Sequence, residues 1–75
     1  MKRYQNLSGE SGVVAYELSD EAIAVQFQDS AVYLYDYAVT GRRDVEEMKR
    51  LAVAGRGLSA YISRFVRERF AVRVR

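Results

Sequence analysis

The hydrophobic pattern of the chain changes its period once, near residue 40, and this change limits the possible fold more than any other feature. Before it, three short segments rich in Val, Ile, Tyr and Phe lie at 13–18, 22–27 and 31–37. These residue types favour β-strands, and the polar breaks between the segments hold only a few residues. Because a parallel return needs a long crossover, the three segments are predicted to form an antiparallel meander.

In the second half of the chain the apolar residues recur every three or four positions, which is the period of a helix packed on a core. Asp44, followed three residues later by Glu47, predicts a capping box that opens a first helix over 44–54, and Gly55 would end it. A second helix is predicted over 58–68. Its buried face would consist of Leu58, Tyr61, Ile62, Phe65 and Val66. The predicted fold is therefore α+β, in the order β-β-β-α-α, with both helices on one sheet face.

The two ends of the chain are less regular. Residues 1–12 are polar and contain several Ser and Gly residues, so they are predicted to form a flexible lead-in. Arg69 falls within the apolar arc of the second helix, so either that helix ends near Glu68 or the Arg69 stem covers the edge of the core. The tail, 70–75, alternates apolar and basic residues. It is either a short edge strand with its arginines outward or a frayed end.

A chain of 75 residues forms one domain, spanning 1–75. It contains neither Cys nor His, which excludes disulfides, thiolate and imidazole catalysis and the Cys/His zinc sites. Ser59 and Ser63 have no general base beside them, and the adjacent acids Glu46 and Glu47 are explained by the start of a helix. The sequence therefore predicts a protein that is not an enzyme and that has no metal site and no cofactor.

The charged residues divide the chain into an acidic half and a basic half. Residues 1–37 hold two basic and six acidic residues, whereas 38–75 hold ten basic and four acidic ones, and the net charge is +2. Guanidinium groups suit phosphate oxygens, so a nucleic-acid surface is one interpretation of the basic half and a solvated basic face is the other. The candidate phosphate-binding residues are Arg42, Arg43, Arg56, Arg64 and Arg67.

The sequence shows no sign of a membrane protein. It has no run of about 18 apolar residues, which a transmembrane helix requires. The basic N-terminus is not followed by the apolar segment of a secretory signal. We therefore expect a cytoplasmic protein with no membrane partner.

Three tyrosines alternate along the third segment, in Tyr33-Leu34-Tyr35-Asp36-Tyr37. A row of aromatic rings on a sheet face can stack unpaired bases, or it can supply core area with polar tips. The preceding turn decides which face the rings occupy. A tight two-residue turn at Asp29-Ser30 would separate the tyrosines from Val25 and Phe27, whereas a three-residue loop with a bulge would bring them together.

The residues of this turn favour the longer loop. A tight turn needs positive φ at its central residues, which Asn-Gly or a glycine adopts easily and Asp29-Ser30 does not. Tyr33 and Tyr35 are therefore predicted to be mostly buried core residues with their hydroxyls at the sheet edge. On the same face, the first strand would contribute Val14 and Tyr16, paired with Val25 and Ile23.

Around this tyrosine motif the sequence resembles the KTSC domain family, whose pattern centres on Tyr-x-Tyr. The matching positions in the predicted sheet are Val14, Tyr16, Glu17, Ile23, Val25, Phe27, Tyr33 and Tyr35. In the predicted helices, Gly55, Leu58, Ser59, Ile62 and Phe65 match more loosely. The resemblance covers roughly 8–65. It departs from the family at Ser30, where a glycine is usual, and in the absence of a proline after the motif.

Members of this family are small domains that occur alone in bacterial and phage-related proteins and at the C-terminus of some lysyl-tRNA synthetases. The resemblance implies a shared fold and structural roles for Tyr16, Phe27, Tyr33 and Tyr35. It also implies RNA binding, which has been proposed for the family because of its company with synthetases.

Two functional hypotheses follow. The first is a nucleic-acid-binding module with RNA as its partner, in which arginines contact phosphates and exposed tyrosines stack on bases. The second is an interaction or structural module that forms a homo-oligomer. This hypothesis rests on the third segment, which is apolar on both faces because Val32 and Leu34 lie opposite the tyrosines. Two helices can cover only one of these faces, so the other face could pair with a second copy. Salt dependence separates the two, because counterion release weakens nucleic-acid binding steeply and an apolar interface barely responds.

Overall fold

An antiparallel sheet of five strands, with helices on one face, is the frame of the computed structural model, which describes residues 1–9 and 11–75. The strands follow one another in chain order: β1 (Lys2–Arg3), β2 (Val13–Ser19), β3 (Ala22–Phe27), β4 (Val32–Asp36) and β5 (Val72–Arg73). Helix α1 (Arg42–Ala54) is followed by α2 (Leu58–Tyr61), which continues as a π-helical turn (Ile62–Val66). The α+β class and the central meander are therefore confirmed, and the sheet gains a short strand at each edge.

The residues predicted to form a flexible lead-in contribute one of these edge strands. Lys2 lies opposite Tyr16, so β1 pairs with β2. Tyr4 is buried, and its hydroxyl accepts a hydrogen bond of 3.3 Å from the backbone N–H of Leu58. The lead-in prediction is therefore wrong for these residues, and its position Glu10 lies outside the described residues.

The C-terminal tail forms the other edge strand, which decides between the two alternatives for 70–75. Its arginines do not both point outward, however. Arg73 lies opposite Tyr33, on the face that carries the helices, whereas Val72 lies opposite Leu34 and is exposed. The basic and apolar residues of β5 therefore alternate between the two sheet faces, as predicted. However, the arginine lies on the face that carries the helices and the valine lies on the other face.

The loop between β3 and β4 has three residues, 28–30, as predicted. The backbone N–H of Phe27 donates to the carbonyl of Ala31 at 2.9 Å, and Ser30 has φ 74°, the left-handed conformation of a bulge position. The resulting register places Tyr33 opposite Val25 and Tyr35 opposite Ile23. The tyrosines therefore share the core-facing side of the sheet.

A second bulge changes the first hairpin. The register shifts between Val13 and Ala15, so that Val13 is 1% exposed and Val14 is 37% exposed. The predicted pairs of Val14 with Val25 and Tyr16 with Ile23 are therefore wrong. Tyr16 lies opposite Val25 instead.

Helix α1 begins at Arg42, two residues before the predicted start, and no side chain caps it. Its N-cap is Gly41 with φ 100°. The predicted capping box is thus absent: Asp44 lies inside the first turn and its carboxylate is bonded elsewhere. Gly55 ends the helix as predicted, with φ 79° and its N–H bonded to the carbonyl of Leu51.

The helical stretch after Gly57 ends at Val66 rather than at residue 68. Its buried residues are Leu58, Ile62 and Val66, which are four positions apart. In the π-turn the backbone bonds run from i to i+5, so the helix is wider, and residues four positions apart stay on one face. Phe65, predicted to be buried, is 60% exposed. Arg67 follows with φ 54° and ψ −121°, which ends the helix. Of the two alternatives for Arg69, the structure therefore has the one in which the helix ends before this residue.

A single core fills the space between sheet and helices. It contains Tyr16, Ile23, Val25 and Tyr35 from the sheet, Val45, Met48 and Ala52 from α1, and Leu58, Ile62 and Val66. The opposite sheet face, with the half-buried Ala24 and Leu34, lies away from both helices. Within the described residues, no helix is long and apolar enough to cross a membrane.

Candidate nucleic-acid interface

A groove lined by aromatic rings opens where β4 meets the segment that follows the π-turn. Its volume is about 410 Å³. The residues that line this aromatic groove are Phe27, Tyr33, Tyr35, Ile62, Arg67, Glu68 and Phe70. The three-residue loop before β4 positions the tyrosines, because it sets their face, and the end of the π-turn positions Phe70 opposite them.

The rings of the groove pack against one another. The Tyr33 ring centroid lies 4.6 Å from that of Phe70 and 5.8 Å from that of Phe27, the latter in an edge-to-face arrangement. Tyr35 is 2% exposed and meets Phe70 edge-on at 6.3 Å. Tyr35 is thus core, as predicted, whereas Tyr33, Phe27 and Phe70 are only half-buried. Parts of these three rings face solvent, as a stacking platform requires.

Burial in the groove keeps the Tyr35 hydroxyl neutral. Burial raises the pKa of Tyr35 to about 12, with a smaller contribution from the neighbouring Tyr33. The neutral Tyr35 hydroxyl adds no negative charge to the groove. The single acidic side chain lining the groove is that of Glu68, which is exposed at the rim.

Two arginines border the groove. Arg67, a predicted phosphate-binding residue, lines it directly. The Arg73 guanidinium carbon lies 5.7 Å from the centroid of the Tyr33 ring, within the range of a cation–π contact. Arg73 was not among the predicted residues. The alternating tail carried a signal for it, but only the register of β5 against β4 places it over Tyr33.

The other predicted arginines lie elsewhere. Arg42 and Arg43 stand at the start of α1, where Arg42 lies 5.9 Å from the Tyr37 ring. Arg56 follows the far end of this 13-residue helix, a length of about 20 Å. Arg64 is exposed on the π-turn. The length of α1 therefore separates Arg42 and Arg43 from Arg56, and of the five candidates Arg67 is the one that lines the groove.

A buried carboxylate anchors the segment that closes the groove. The Asp44 side chain is 8% exposed and accepts hydrogen bonds from the Tyr61 hydroxyl at 2.6 Å and from the Arg69 guanidinium at 2.5 Å. Arg69 also donates to the backbone carbonyls of Thr40 and Phe65. These contacts join α1, the π-turn and the chain after it. They hold Arg69, the residue that precedes Phe70, in place.

The ionisation of this cluster follows from its hydrogen bonds. The Tyr61 hydroxyl, and then the Arg69 guanidinium, lower the pKa of Asp44 below its ordinary value. Burial, together with the bond to Asp44, raises the pKa of Tyr61 to about 12. Asp44 is therefore an anion over a wide pH range. The spacing between Asp44 and Glu47 predicted a capping role for Asp44, and no local signal connects Asp44 with Tyr61 or Arg69, which are 17 and 25 residues away.

The third tyrosine of the motif is occupied by a separate contact. The Tyr37 hydroxyl donates to Glu46 at 2.5 Å, which raises the pKa of Tyr37 and lowers that of Glu46. Lys49 pairs with Glu46 at 3.0 Å and donates to the carbonyl of Asp20. This cluster fastens α1 to the sheet. No group of three or more His, Cys, Asp or Glu residues able to hold a metal ion occurs in the described part of the chain.

Comparisons with models of protein families, with curated proteins and with solved structures found no match to this chain. The resemblance to the KTSC family therefore stays a prediction that rests on the residues quoted for it. The geometry of the aromatic groove carries the functional argument.

Proposed function

We propose that this protein is a non-enzymatic module that binds single-stranded nucleic acid, with RNA as the preferred class, in the aromatic groove. The observation that carries the proposal is the set of three half-buried rings, of Phe27, Tyr33 and Phe70, placed between Arg67 and Arg73. The resemblance to the KTSC family, for which RNA binding has been proposed, supports the same function.

The chemistry of the groove fits an unpaired base. A base stacked on an aromatic side chain contributes about 1–3 kcal/mol, whichever base it is. Bases within a duplex are paired and stacked on each other, so they cannot enter a groove between side chains without being extruded. The proposed ligand is therefore a single strand, a loop or an unpaired end.

The charge at the rim fits the backbone of that strand. Neither Arg67 nor Arg73 forms an ion pair with an acidic side chain within residues 1–9 and 11–75. The Arg73 Nε donates to the backbone oxygen of Arg75 at 3.0 Å, which leaves its two terminal nitrogens and the Arg67 guanidinium for phosphate oxygens. Two phosphate contacts predict a modest salt dependence, with a slope of log affinity against log salt of about −1.4 for a single strand. The Glu68 carboxylate at the rim can accept hydrogen bonds from amino groups of a base.

The experiment is a fluorescence anisotropy titration of a labelled mixed-sequence RNA single strand, repeated between about 50 and 200 mM salt. Tyr33→Leu keeps apolar volume and removes the stacking ring, so affinity should fall about tenfold. Arg73→Ala should lower the salt slope by about 0.7. The matched control, Arg56→Ala, removes an exposed arginine at the far end of α1 and should change neither quantity.

Two further arms of this experiment test the class of nucleic acid. DNA of the same sequence tests the preference for RNA, and a duplex of the same length tests the requirement for unpaired bases. The proposal fails if wild-type protein shows no salt-sensitive binding to any single strand. It also fails if Arg56→Ala weakens binding as much as Arg73→Ala does.

Self-association is the second candidate function, and one observation favours it. Both helices lie on the same side of the sheet, and the face with the half-buried Ala24 and Leu34 has no layer over it. A second copy packed there would bury apolar area. The mass in solution should then rise with protein concentration, respond little to salt, and fall back to that of one chain in Leu34→Asp.

A further inference from the structure

The chain reverses direction at a residue that does not favour the conformation it adopts. Arg67 follows the π-turn with φ 54° and ψ −121°, a region that residues with a side chain rarely occupy. Its backbone N–H donates to the carbonyl of Ile62 and closes the last π-turn. Arg and Glu are both good helix formers, so Arg67 and Glu68 would by local preference continue the helix. The hydrophobic period of the sequence likewise predicts a helix to residue 68.

The segment beyond this reversal, 69–75, is held mainly by contacts that reach back to the sheet and α1, together with bonds from Arg69 to the nearby carbonyls of Phe65 and Val66. Arg69 bonds to Asp44, Phe70 packs on Tyr33, and β5 pairs with β4. The backbone bonds include those from Ala71 to the carbonyl of Leu34 and from Val74 to the carbonyl of Val32, both of 2.7 Å. None of these contacts requires that the segment and the body belong to the same chain.

We propose that two copies of this chain exchange residues 69–75 and form a domain-swapped dimer. In it, α2 and the π-turn run on as helix through Arg67 and Glu68, which releases the unfavourable backbone conformation. Each segment then makes its contacts on the other copy. The contacts with Asp44, Tyr33 and β4 are re-formed between the two chains, so exchange of an identical element needs no new interface, and short strained hinges promote it.

The partner copy would complete the aromatic groove. Phe27, Tyr33 and Tyr35 come from the body of one chain, whereas Phe70 and Arg73 come from the second copy. The inference goes beyond the proposed function and does not depend on it, because in the closed monomer the three rings and Arg73 all come from one chain. Binding of a single strand and exchange of segments can therefore fail separately.

A matched pair of substitutions at the hinge tests the cause. Arg67→Gly allows positive φ without strain and disfavours helix, so it should lower the dimerisation constant about tenfold. Arg67→Ala removes the same guanidinium but keeps the strain and favours helix, so dimerisation should equal or exceed that of wild type. Light scattering across a concentration series measures both. The proposal is overturned if wild type and Arg67→Ala are monomeric throughout, or if the two variants dimerise equally.

A disulfide distinguishes exchange from side-by-side packing. The chain has no Cys, and Leu34 and Val72 are register partners in β4 and β5, at a spacing that suits a disulfide. Leu34→Cys combined with Val72→Cys is equilibrated at high concentration and then oxidised. Exchange predicts covalent dimers on a non-reducing gel, and monomers with an internal disulfide if the protein is diluted and re-equilibrated first.

The control for this cross-link is Leu34→Cys alone, which lacks the register partner and should give few covalent dimers. Internal disulfides at every concentration would overturn the proposal. A dimer by light scattering whose disulfides are all internal would also overturn it, and would favour packing through the uncovered sheet face instead.

Discussion

Removing the ring of Tyr35 tests the most important consequence of the loop before β4. Tyr35 lies opposite Ile23, is 2% exposed and meets the Phe70 ring edge-on. Its place in the core depends on the three-residue loop, since a loop of two residues would turn the ring to the opposite sheet face. Tyr35→Ala should therefore destabilise the fold, rather than only weaken a binding surface.

The magnitude follows from burial. Truncating a fully buried aromatic side chain to alanine costs about 3–5 kcal/mol, because apolar contacts are lost and a cavity remains. A domain of 75 residues has a total free energy of unfolding of about 4–11 kcal/mol. Tyr35→Ala should therefore leave a large part of the protein unfolded in water. Tyr35→Phe keeps the ring and should change stability by less than about 1 kcal/mol.

Urea unfolding followed by far-ultraviolet circular dichroism measures the effect. For a domain of this size the slope is about 1 kcal/mol per molar urea, so a loss of 3 kcal/mol lowers the midpoint by about 3 M. Tyr35→Phe should unfold close to wild type in the same assay. If Tyr35→Ala unfolds at the wild-type midpoint, the ring does not lie in the core and the assignment of the sheet faces is wrong.

Two further substitutions test individual contacts. Ser30→Gly should raise stability by about 1 kcal/mol, because glycine adopts φ 74° without strain, and thermal unfolding should show a midpoint about 4–8 °C higher; an unchanged or lower midpoint would contradict the strained loop. Tyr61 and Arg69 lower the pKa of Asp44 in the folded protein. The ionised Asp44 carboxylate therefore contributes its full stabilisation above the pKa of about 3.9 that it has in the unfolded chain, and this stabilisation is lost as the pH falls through the lower pKa of the folded state. Asp44→Asn should be less stable than wild type at neutral pH, and the difference should shrink in acid; a constant difference between pH 7 and pH 2 would show that the charge contributes nothing.

The parts of the fold that depend on neighbouring residues could be predicted from the sequence. The alternation in β3 and β4, together with the absence of a glycine in the loop between them, correctly placed Tyr33 and Tyr35 on the core side. Gly55 was also sufficient to mark the end of α1. In each case the deciding interaction spans only a few residues.

The parts that depend on distant residues could not be predicted. The buried Tyr4 contacts Leu58, which is 54 positions away, and no residue near Tyr4 in the sequence indicates this contact. Asp44 has the spacing of a capping residue, yet contacts with Tyr61 and Arg69 determine its role. The exposed position of Phe65 follows from the π-turn, which the ordinary helical period does not foresee.

The candidate site was predicted in part. The tyrosine motif drew attention to the correct strand, and Arg67 was among the predicted arginines. A count of basic residues carries no direction, however, so it grouped Arg56 with arginines at the other end of α1. Arg73 became visible only through its register with Tyr33.

A nuclear magnetic resonance titration with a short single-stranded RNA of mixed sequence tests the central claim most directly. Binding in the aromatic groove predicts that the ring protons of Phe27, Tyr33 and Phe70 shift together, and that the shifts shrink as salt is raised. The side-chain methyl groups of Ala24 and Leu34, on the uncovered sheet face, serve as internal controls. Shifts confined to Ala24 and Leu34, or the absence of any shift, would contradict the proposed binding site.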